Sequence, residues 1–261
     1  MKNDVVIIGY GIVGQNLEKE ISVLNPDVID KYKDKTCECE KHNVGFICVD
    51  TPILENKDVD VSEVKNAILE NDCDIYVIKS TCPIGTVDKL KKETGKRIVF
   101  SPEYYGGTLN NNFQNNKFDF TILGGEDKDC VEVVQMLQHC YTGRHQFRII
   151  DSKSAEIAKF MENSFLATKV SFCNSFYNLC KDENVDYEKV RELFILDERI
   201  NPSHTFVYKE TPYWDTHCLN KDVNCIAYTK DMELLKSVCE FNEKQKTKND
   251  KYWEDKLNSL K

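Results

Sequence analysis

The sequence predicts an α/β protein of two domains, with a doubly wound parallel sheet over residues 1–150 and an all-helical domain over residues 151–261. Three observations support this fold class. Short β-branched runs alternate with amphipathic segments in the first domain, a glycine-rich turn follows the first run, and a long helical pattern begins where the alternation stops.

Seven apolar runs in the first domain have the length and composition of strands. In chain order they are DVVIIG, DVID, VGFICV, DIYVIKS, RIVFS, DFTILGG and FRII. Because amphipathic segments separate most of them, the strands are expected to pair in parallel, with helices on both faces of the sheet.

The second domain starts with apolar residues at helical spacing for about thirty residues, without proline or glycine. This predicts one long central helix, capped by Ser152 or Ser154. Two more helices are expected, over DYEKVRELFIL and roughly over KDVNCIAYTKDMELLKSVCEFNEKQ. The charged tail from Lys244 to Lys261 fits a last amphipathic helix and a solvated end equally well.

The composition excludes several classes of function. A formal charge of -9 disfavours a nucleic-acid partner, because phosphate binding needs clustered lysine and arginine. No run approaches the roughly 18 apolar residues of a membrane helix. The early run VVIIGYGIVG is broken by glycine and does not resemble a cleaved signal, so we expect a cytoplasmic protein with reduced cysteines.

Gly9, Gly11 and Gly14 have the GxGxxG spacing, directly after the first strand and at the start of a helix. The first glycine permits a tight turn, the second lets a pyrophosphate approach the backbone, and the third lets the helix pack on the strand. This context predicts a Rossmann-type dinucleotide site with the diphosphate at the helix N-terminus. Ile12 and Val13, inside the motif, belong to the expected site.

Asp30 ends the second strand, about twenty residues after the motif, where a carboxylate binds ribose hydroxyls and repels a 2′-phosphate. The expected cofactor is therefore NAD rather than NADP. Thr51 and Pro52, which follow the third strand, are further candidates for the cofactor site.

Polar residues also follow the next two strands. Thr81 lies at the end of one strand in KSTCPIGT, and Glu103 at the end of the next in SPEYYGGT. Ligands of an open parallel sheet bind beyond the carboxyl ends of its strands, so both side chains should face the cofactor cleft. Lys159 and Asn163 share a face of the long helix, although solvated polar residues are common on helices.

Cys218 and Asp222 are four residues apart where another helix begins. The helix dipole and a nearby lysine favour a thiolate there, and a carboxylate one turn away could hold or deprotonate a water molecule. A thiolate beside an NAD site can trap an aldehyde. The alternative is a small core cysteine, which is the interpretation of most of the twelve cysteines.

From Val5 to about Gln245 the sequence resembles the UDP-glucose/GDP-mannose dehydrogenase family, whose members oxidise the primary alcohol of a nucleotide sugar to a carboxylate with two NAD. The matching segments occur in family order. They are GYGIVG, FICVDTP, KSTCPIGT, SPEYYGGT, AEIAKFMENSFLATKVSF, LDERI, CLNKD and FNEKQ. The resemblance implies UDP-glucose as the first substrate to test.

The resemblance also implies roles for the matched residues of the first half and the long helix. Asp30 would bind the adenosine ribose. Thr81 and Glu103 would line the reaction centre and position water. Lys159 and Asn163 would stabilise the developing oxyanion.

For the remaining matched residues, the resemblance implies a covalent mechanism. Cys218 would form a thiohemiacetal and then a thioester, while Lys221 and Asp222 hold the hydroxyl and water. Arg199, in the segment LDERI, would reach the substrate of a neighbouring subunit across a dimer.

The sequence departs from the family pattern in two loops. The family reaches its cysteine through a glycine-rich GFGGxC segment, whereas this chain has PYWDTHC, which contains no glycine and includes the bulky Trp214 and His217. The acidic residue that usually follows four positions after the SPE glutamate is Gly107 here. We therefore expect a bulkier loop before Cys218 and one polar group fewer near the substrate.

The segment CECEKH lies in the short connection after Asp30. Cys37, Cys39 and His42 could bind a metal, but the sequence shows no fourth ligand. A polar surface turn is therefore expected, and no metal is predicted.

The resemblance ends at about Gln245, so we expect the third domain, which holds the nucleotide in three-domain members of the family, to be missing. The nucleotide sugar is expected to bind across a homodimer built on the long helix, or with a separate chain that supplies the third domain, unless the substrate is smaller. Two other functions stay open. One is a two-electron, hydroxyacid-type NAD dehydrogenase that uses a lysine and an asparagine without a cysteine, and the other is a catalytically degenerate NAD-binding scaffold.

Overall fold

The computed structural model describes residues 4–105, 107–108, 111–112, 119–141 and 143–259. The chain forms two compact units, Met1–Lys159 and Phe160–Lys261. The predicted fold class is confirmed, since a mostly parallel sheet is followed by helices alone. The domain boundary expected at residue 150 stays a prediction.

All seven predicted strands are present in the first unit and form one sheet. The strands of that sheet are β1 (Val5–Ile8), β2 (Asp27–Ile29), β3 (Lys41–Ile47), β4 (Asp72–Ile78), β5 (Ile98–Phe100), β8 (Phe120–Gly124) and β9 (Gln146–Ile150), and a separate antiparallel pair consists of β6 (Gly107–Thr108) and β7 (Asn111–Asn112). Their order in the sheet is β2-β1-β3-β4-β5-β8-β9. Among the residues described, β5 and β8 pair antiparallel, and all other neighbouring strands of this sheet pair in parallel.

Four helices cover this sheet. They are α1 (Ile12–Glu20), α2 (Ser62–Glu70), α3 (Thr86–Thr94) and α4 (Asp127–Leu137). Val6 and Ile8 of β1 belong to one buried apolar cluster, and Val5 and Ile7 to another. Because neighbouring residues of a strand point to opposite faces, both faces of the sheet carry a core.

The connection between β2 and β3 contains no helix, although all of its residues, 30–40, are described. Parallel strands are usually joined through a helical crossover of a dozen or more residues. Here the chain turns at an antiparallel bridge between Asp30 and Lys35 and returns along the sheet to Lys41. We call residues 30–40 the β2–β3 connection.

All regular elements after β9 in the described part of the chain are helices. The elements are α5 (Ser152–Asp182), α6 (Tyr187–Phe194), α7 (His217–Thr229) and α8 (Glu233–Ser259). The long central helix is confirmed, but its cap is Asp151, whose Oδ1 accepts the backbone N–H of Ser154 at 2.9 Å, rather than Ser152 or Ser154. None of the helices in the described part of the chain combines the length and apolar character needed to cross a membrane.

The single helix predicted over residues 221–245 is wrong, because α7 and α8 are separate. Asp231 adopts a left-handed conformation with φ 55°, and the N–H of Met232 donates to the carbonyl of Ala227 at 2.9 Å. This is a Schellman-type helix end with aspartate where glycine is usual. The charged tail was expected to be either a last helix or a solvated end. It continues α8 as a helix to Ser259.

Candidate active site

The glycine-rich turn has the geometry that its spacing predicts. Gly9 has φ 95°, and a Cβ there would lie 2.8 Å from the backbone of Cys48. A Cβ on Gly14 would lie 2.1 Å from the carbonyl oxygen of Gly9, whereas one on Gly11 would meet nothing within 4 Å. The first and third glycines are therefore required by packing, and open space above the second leaves room for a ligand.

The start of α1 suits an anionic ligand. No acidic residue lies in its first turn, so the N–H groups and helix dipole are not neutralised there. Ile12 is 76% exposed at the first helical position, and Val13 is half-buried. The turn and helix start thus fit the diphosphate of a dinucleotide.

Asp30 lies directly beside this turn. Its carboxylate accepts the backbone N–H of Tyr10 at 2.7 Å and that of Tyr32 at 2.9 Å. Lys33 donates to the carbonyl of Tyr10 at 2.6 Å and so closes the turn from the other side. Two backbone donors fix the orientation of a carboxylate whose remaining lone pairs can accept ribose hydroxyls.

The loops after β3 and β4 are hydrogen-bonded to each other at the same edge of the sheet. Thr51 is buried and donates from Oγ1 to the carbonyl of Thr81 at 2.9 Å, and Ser80 donates from Oγ to the carbonyl of Val49 at 2.6 Å. Pro52, by contrast, is exposed. The structure brings Thr51 and Thr81 together beyond the carboxyl ends of their strands, where ligands of open α/β sheets bind.

Glu103 and Lys159 form a buried pair in the first unit. The Lys159 ammonium lies 3.8 Å from Oε1 of Glu103 and 4.9 Å from the ring centroid of Tyr104. The other carboxylate oxygen accepts the N–H of Tyr105 at 2.6 Å. Less than a tenth of either side chain is exposed, so the ammonium is held as an oriented positive charge in a site with little water.

Lys79 is a polar residue of this region that sequence reasoning missed. It is buried at the end of β4 and donates from Nζ to Oγ of Ser101 at 3.2 Å. Burial lowers the pKa of the Lys79 ammonium, and the carboxylates of Glu20 and Glu103 oppose that shift. The available signal was a lysine that follows an otherwise apolar strand and opens the segment KSTCPIGT, which contains Thr81.

In the second unit, Asn163, Lys221 and Asp222 form a buried polar cluster. Asn163 donates from Nδ2 to one carboxylate oxygen of Asp222 at 2.6 Å, and the ammonium of Lys221 lies 2.8 Å from the other. Asn163 and Asp222 are 5% and 0% exposed. Desolvated charges need such partners, so the cluster fixes each side chain in one orientation.

Cys218 lies in the first turn of α7. Thr216 caps this helix by accepting the N–H of Leu219, and no acidic residue lies in the first turn, so the positive end of the dipole acts on the thiol. All twelve cysteines are described, and Cys218 is the one that is exposed. The expectation of a small core cysteine, which holds for Cys48 and Cys225, does not hold for Cys218.

The bulky loop before Cys218 has its own anchor. Trp214 is buried, donates from Nε1 to Oγ of Ser171 at 3.0 Å, and exchanges backbone hydrogen bonds with the amide side chain of Asn242. His217 is exposed. The large ring thus packs into the helical unit and leaves the thiol accessible, which the loss of the glycines did not predict.

Arg199 does not join the polar cluster of Asn163, Lys221 and Asp222 in the second unit. Its guanidinium is 88% exposed and binds the carboxylate of Asp197, two residues away. A predicted role toward a second subunit stays a prediction.

The comparisons with known proteins agree with these features. The family model described as the NAD binding domain of the UDP-glucose/GDP-mannose dehydrogenase family matches residues 12–142, and the model for the central domain of the same family matches residues 153–244. The expectation of NAD as the cofactor is confirmed by the first match. The glycine turn, the open space over Gly11 and the oriented Asp30 carboxylate fit that cofactor.

Two curated proteins and a solved structure that resemble the chain are dehydrogenases named for UDP sugars. The chain is 30% identical over 227 residues to a UDP-glucose 6-dehydrogenase of Pseudomonas aeruginosa, covering 78% of this chain and 49% of the relative. It is 28% identical over 221 residues to a UDP-N-acetyl-D-mannosamine dehydrogenase of Methanocaldococcus jannaschii, with the same coverage. A UDP-glucose dehydrogenase structure from Pyrobaculum islandicum has a TM-score of 0.78 at 20% identity, covering 93% of this chain and 68% of that one. The chain thus spans about half the length of these curated relatives.

Proposed function

The chain belongs to the UDP-glucose/GDP-mannose dehydrogenase family, and on that premise we propose that it oxidises the primary alcohol of a nucleotide sugar to the carboxylate. UDP-glucose is the first substrate to test, because a relative at 30% identity is a UDP-glucose 6-dehydrogenase. UDP-N-acetyl-D-mannosamine is the second substrate to test, because a relative at 28% identity is a UDP-N-acetyl-D-mannosamine dehydrogenase.

The proposed reaction has two oxidations and one hydrolysis. Bound NAD supplies the chemistry of hydride acceptance, one hydride for each oxidation. The alcohol first loses a hydride and a proton to become an aldehyde, and the Cys218 thiol adds to its carbonyl carbon as a thiohemiacetal. Loss of a second hydride and proton gives the thioester, and water then releases the carboxylic acid and restores the thiol.

The proposed roles of the polar residues follow from the charges they hold in place. Lys159, oriented by Glu103, stabilises negative charge on the reacting oxygen, since a fixed ammonium in a dry site needs no reorganisation during the reaction. Asn163 and Lys221 hold the Asp222 carboxylate, which positions the water that cleaves the thioester.

The observation that carries this proposal is the exposed Cys218 at a helix N-terminus, four residues before the buried, hydrogen-bonded Asp222. The test is the yield of NADH and acid from UDP-glucose by the whole chain. We expect two NADH for each sugar, and no acid from the Cys218→Ser variant. The matched control is Cys140→Ser, which changes a half-buried thiol of the first unit and should leave the acid yield intact.

The same assay separates the competing functions. One NADH for each substrate, at a rate that does not depend on Cys218, would select a two-electron dehydrogenase in which the buried Lys159 and Asn163 suffice. NAD binding without turnover of any nucleotide sugar would select a non-catalytic scaffold. An unchanged acid yield in Cys218→Ser would remove the thiol from the mechanism.

A further inference from the structure

The β2–β3 connection brings a cysteine to a histidine and an aspartate on the sheet. A ring nitrogen of His42, the Sγ of Cys39 and a carboxylate oxygen of Asp27 all lie within 4.8 Å of one another. His42 is the second residue of β3 and is only 3% exposed, and Asp27 is the first residue of β2. The segment is a turn of exposed and half-buried residues, as its sequence predicts, and one of its cysteines lies against these two strand residues.

The fold supplies the fourth donor that the sequence did not show. Asp27 precedes Cys37 by ten positions and is separated from it by a whole strand and a turn, so no ligand spacing in CECEKH points to it. In the structure its Oδ2 is 2.9 Å from Nε2 of His42. Parallel pairing of β2 and β3 to opposite sides of β1 fixes the positions of these two residues.

Cys37 lies near this group, although its Sγ is not within 4.8 Å of all three donor atoms. Its Sγ is 3.6 Å from the carbonyl oxygen of Cys39. Two thiols, one imidazole and one carboxylate thus share one small region of the first unit.

We propose that Asp27, Cys37, Cys39 and His42 bind one zinc ion. Four donors of the types Cys, His and Asp are the number and chemistry of a closed, structural zinc site. Zinc bonds of about 2.0–2.3 Å hold tetrahedral donors roughly 3.3–3.8 Å apart, so Asp27, Cys39 and His42 would close on the metal with movements of about 1 Å. The Cys37 thiol would have to turn from the Cys39 carbonyl and move further to become the fourth ligand. Thiolate ligands favour zinc over magnesium or calcium, which prefer oxygen.

The ion would stabilise a connection that has no helix of its own. The β2–β3 connection crosses the sheet as irregular backbone, and a metal that joins Cys37 and Cys39 to the starts of β2 and β3 would fix it there. The connection begins with Asp30, whose N–H donates to the carbonyl of Lys35 at 2.9 Å. The ion would hold the strand and turn that carry this carboxylate without taking part in the chemistry.

The test is cobalt and zinc binding by the whole chain under reducing conditions, after chelator treatment. We expect one cobalt ion for each chain, with thiolate-to-cobalt charge-transfer absorption and the intense visible bands of a four-coordinate ion, and displacement by zinc. Zinc should also raise Tm in proportion to the logarithm of its concentration, because it binds the folded state.

The Cys39→Ser variant changes a half-buried ligand and should lower cobalt affinity at least about 100-fold, since even loss of a residue behind the ligands costs 10–100-fold. His42→Gln should also abolish the zinc-dependent rise in Tm. The control Cys140→Ser removes another half-buried thiol, remote in sequence, and should bind cobalt as the unaltered chain does. The circular dichroism of each metal-free variant checks that it folds.

Two results would overturn the proposal. One is an unaltered chain that binds neither cobalt nor zinc in a fixed ratio, in which case the His42 and Asp27 contact is an ordinary buried pair. The other is a Cys39→Ser variant that folds and keeps the charge-transfer bands and affinity of the unaltered chain. Neither outcome depends on the dehydrogenase activity, so failure here and failure of the proposed function are distinguishable.

Discussion

Cys218 differs from the other cysteines in its exposure, and several of the others have raised pKa values. Burial raises the pKa of the Cys48 and Cys73 thiols to about 12, and of the Cys130 and Cys140 thiols to about 11. A thiol with a pKa of about 11 is deprotonated in about one molecule in ten thousand at neutral pH. The thiolate is the reactive form, so these residues react slowly until the pH approaches their raised pKa.

We therefore expect iodoacetamide at neutral pH to modify Cys218 before any other cysteine in the folded protein. Peptide mass mapping after brief labelling checks this, and the Cys218→Ser variant should lose the first equivalent of label. Raising the pH increases labelling of Cys140, because its thiol begins to ionise as the pH nears its pKa of about 11. First labelling at Cys140 or Cys37 would contradict the assignment of Cys218 as the accessible nucleophile.

At the residue scale, the sequence predicts positions that depend on local chain geometry. The spacing of Gly9, Gly14 and Asp30 predicts a turn and a carboxylate beside it, and both are present. Lys79 and Asp27 were missed because their significance depends on residues far away in the chain. Burial of a strand-end lysine, or approach of a strand-start aspartate to a loop, is a property of the folded sheet rather than of a motif.

At the scale of elements, the break between α7 and α8 shows what local patterns omit. Helix ends are usually recognised by glycine, which adopts the left-handed conformation without penalty. This chain has Asp231 there, and apolar residues continue on both sides, so the pattern reads as one helix. The same reasoning explains the cap of α5, where three residues, Asp151, Ser152 and Ser154, could all act as N-cap and only tertiary placement decides.

The left-handed Asp231 leads to a prediction of stability. Asp231→Gly should raise the free energy of unfolding by about 0.5–1 kcal/mol, because glycine relieves the strain at φ 55°. The Asp231 side chain is 88% exposed, so its ion pair with Lys236 contributes little to offset this gain. Urea denaturation measures the difference.

The control for that experiment places glycine where the helix is regular. Glu240→Gly, at an exposed position inside α8, should lower the free energy of unfolding by about 0.5 kcal/mol. Opposite signs for the two glycine substitutions are the expected outcome. A loss of stability in Asp231→Gly as large as that in Glu240→Gly would show that the helix end is not the source of strain.

At the scale of the whole molecule, α5 carries a stripe of exposed apolar side chains. The α5 stripe consists of Met161, Phe165, Phe172, Phe176 and Leu179, which are between 42% and 73% exposed. Their spacing of four, seven, four and three residues places them on one face of the helix. Contiguous exposed apolar surface of this kind marks protein interfaces, which supports the predicted homodimer through the long helix.

We expect the protein to be a dimer by light scattering and Phe165→Glu to be a monomer, because a charge within the α5 stripe would be desolvated without a partner. Leu234→Glu is the matched control, since Leu234 is 69% exposed against 65% for Phe165 but lies on α8. It should stay dimeric. A Phe165→Glu variant that remains a dimer would place the interface elsewhere.

Trp214, which is anchored in the loop before Cys218, is an intrinsic fluorescent probe of that loop. The chain has two tryptophans, of which Trp214 is 4% exposed and Trp253 is 37% exposed. An aqueous quencher reaches the second ring far more readily than the first, so the two emissions can be told apart. Any rearrangement of the segment that joins Trp214 to Cys218 would change the shielded emission, and fluorescence would follow events at the thiol without a dye.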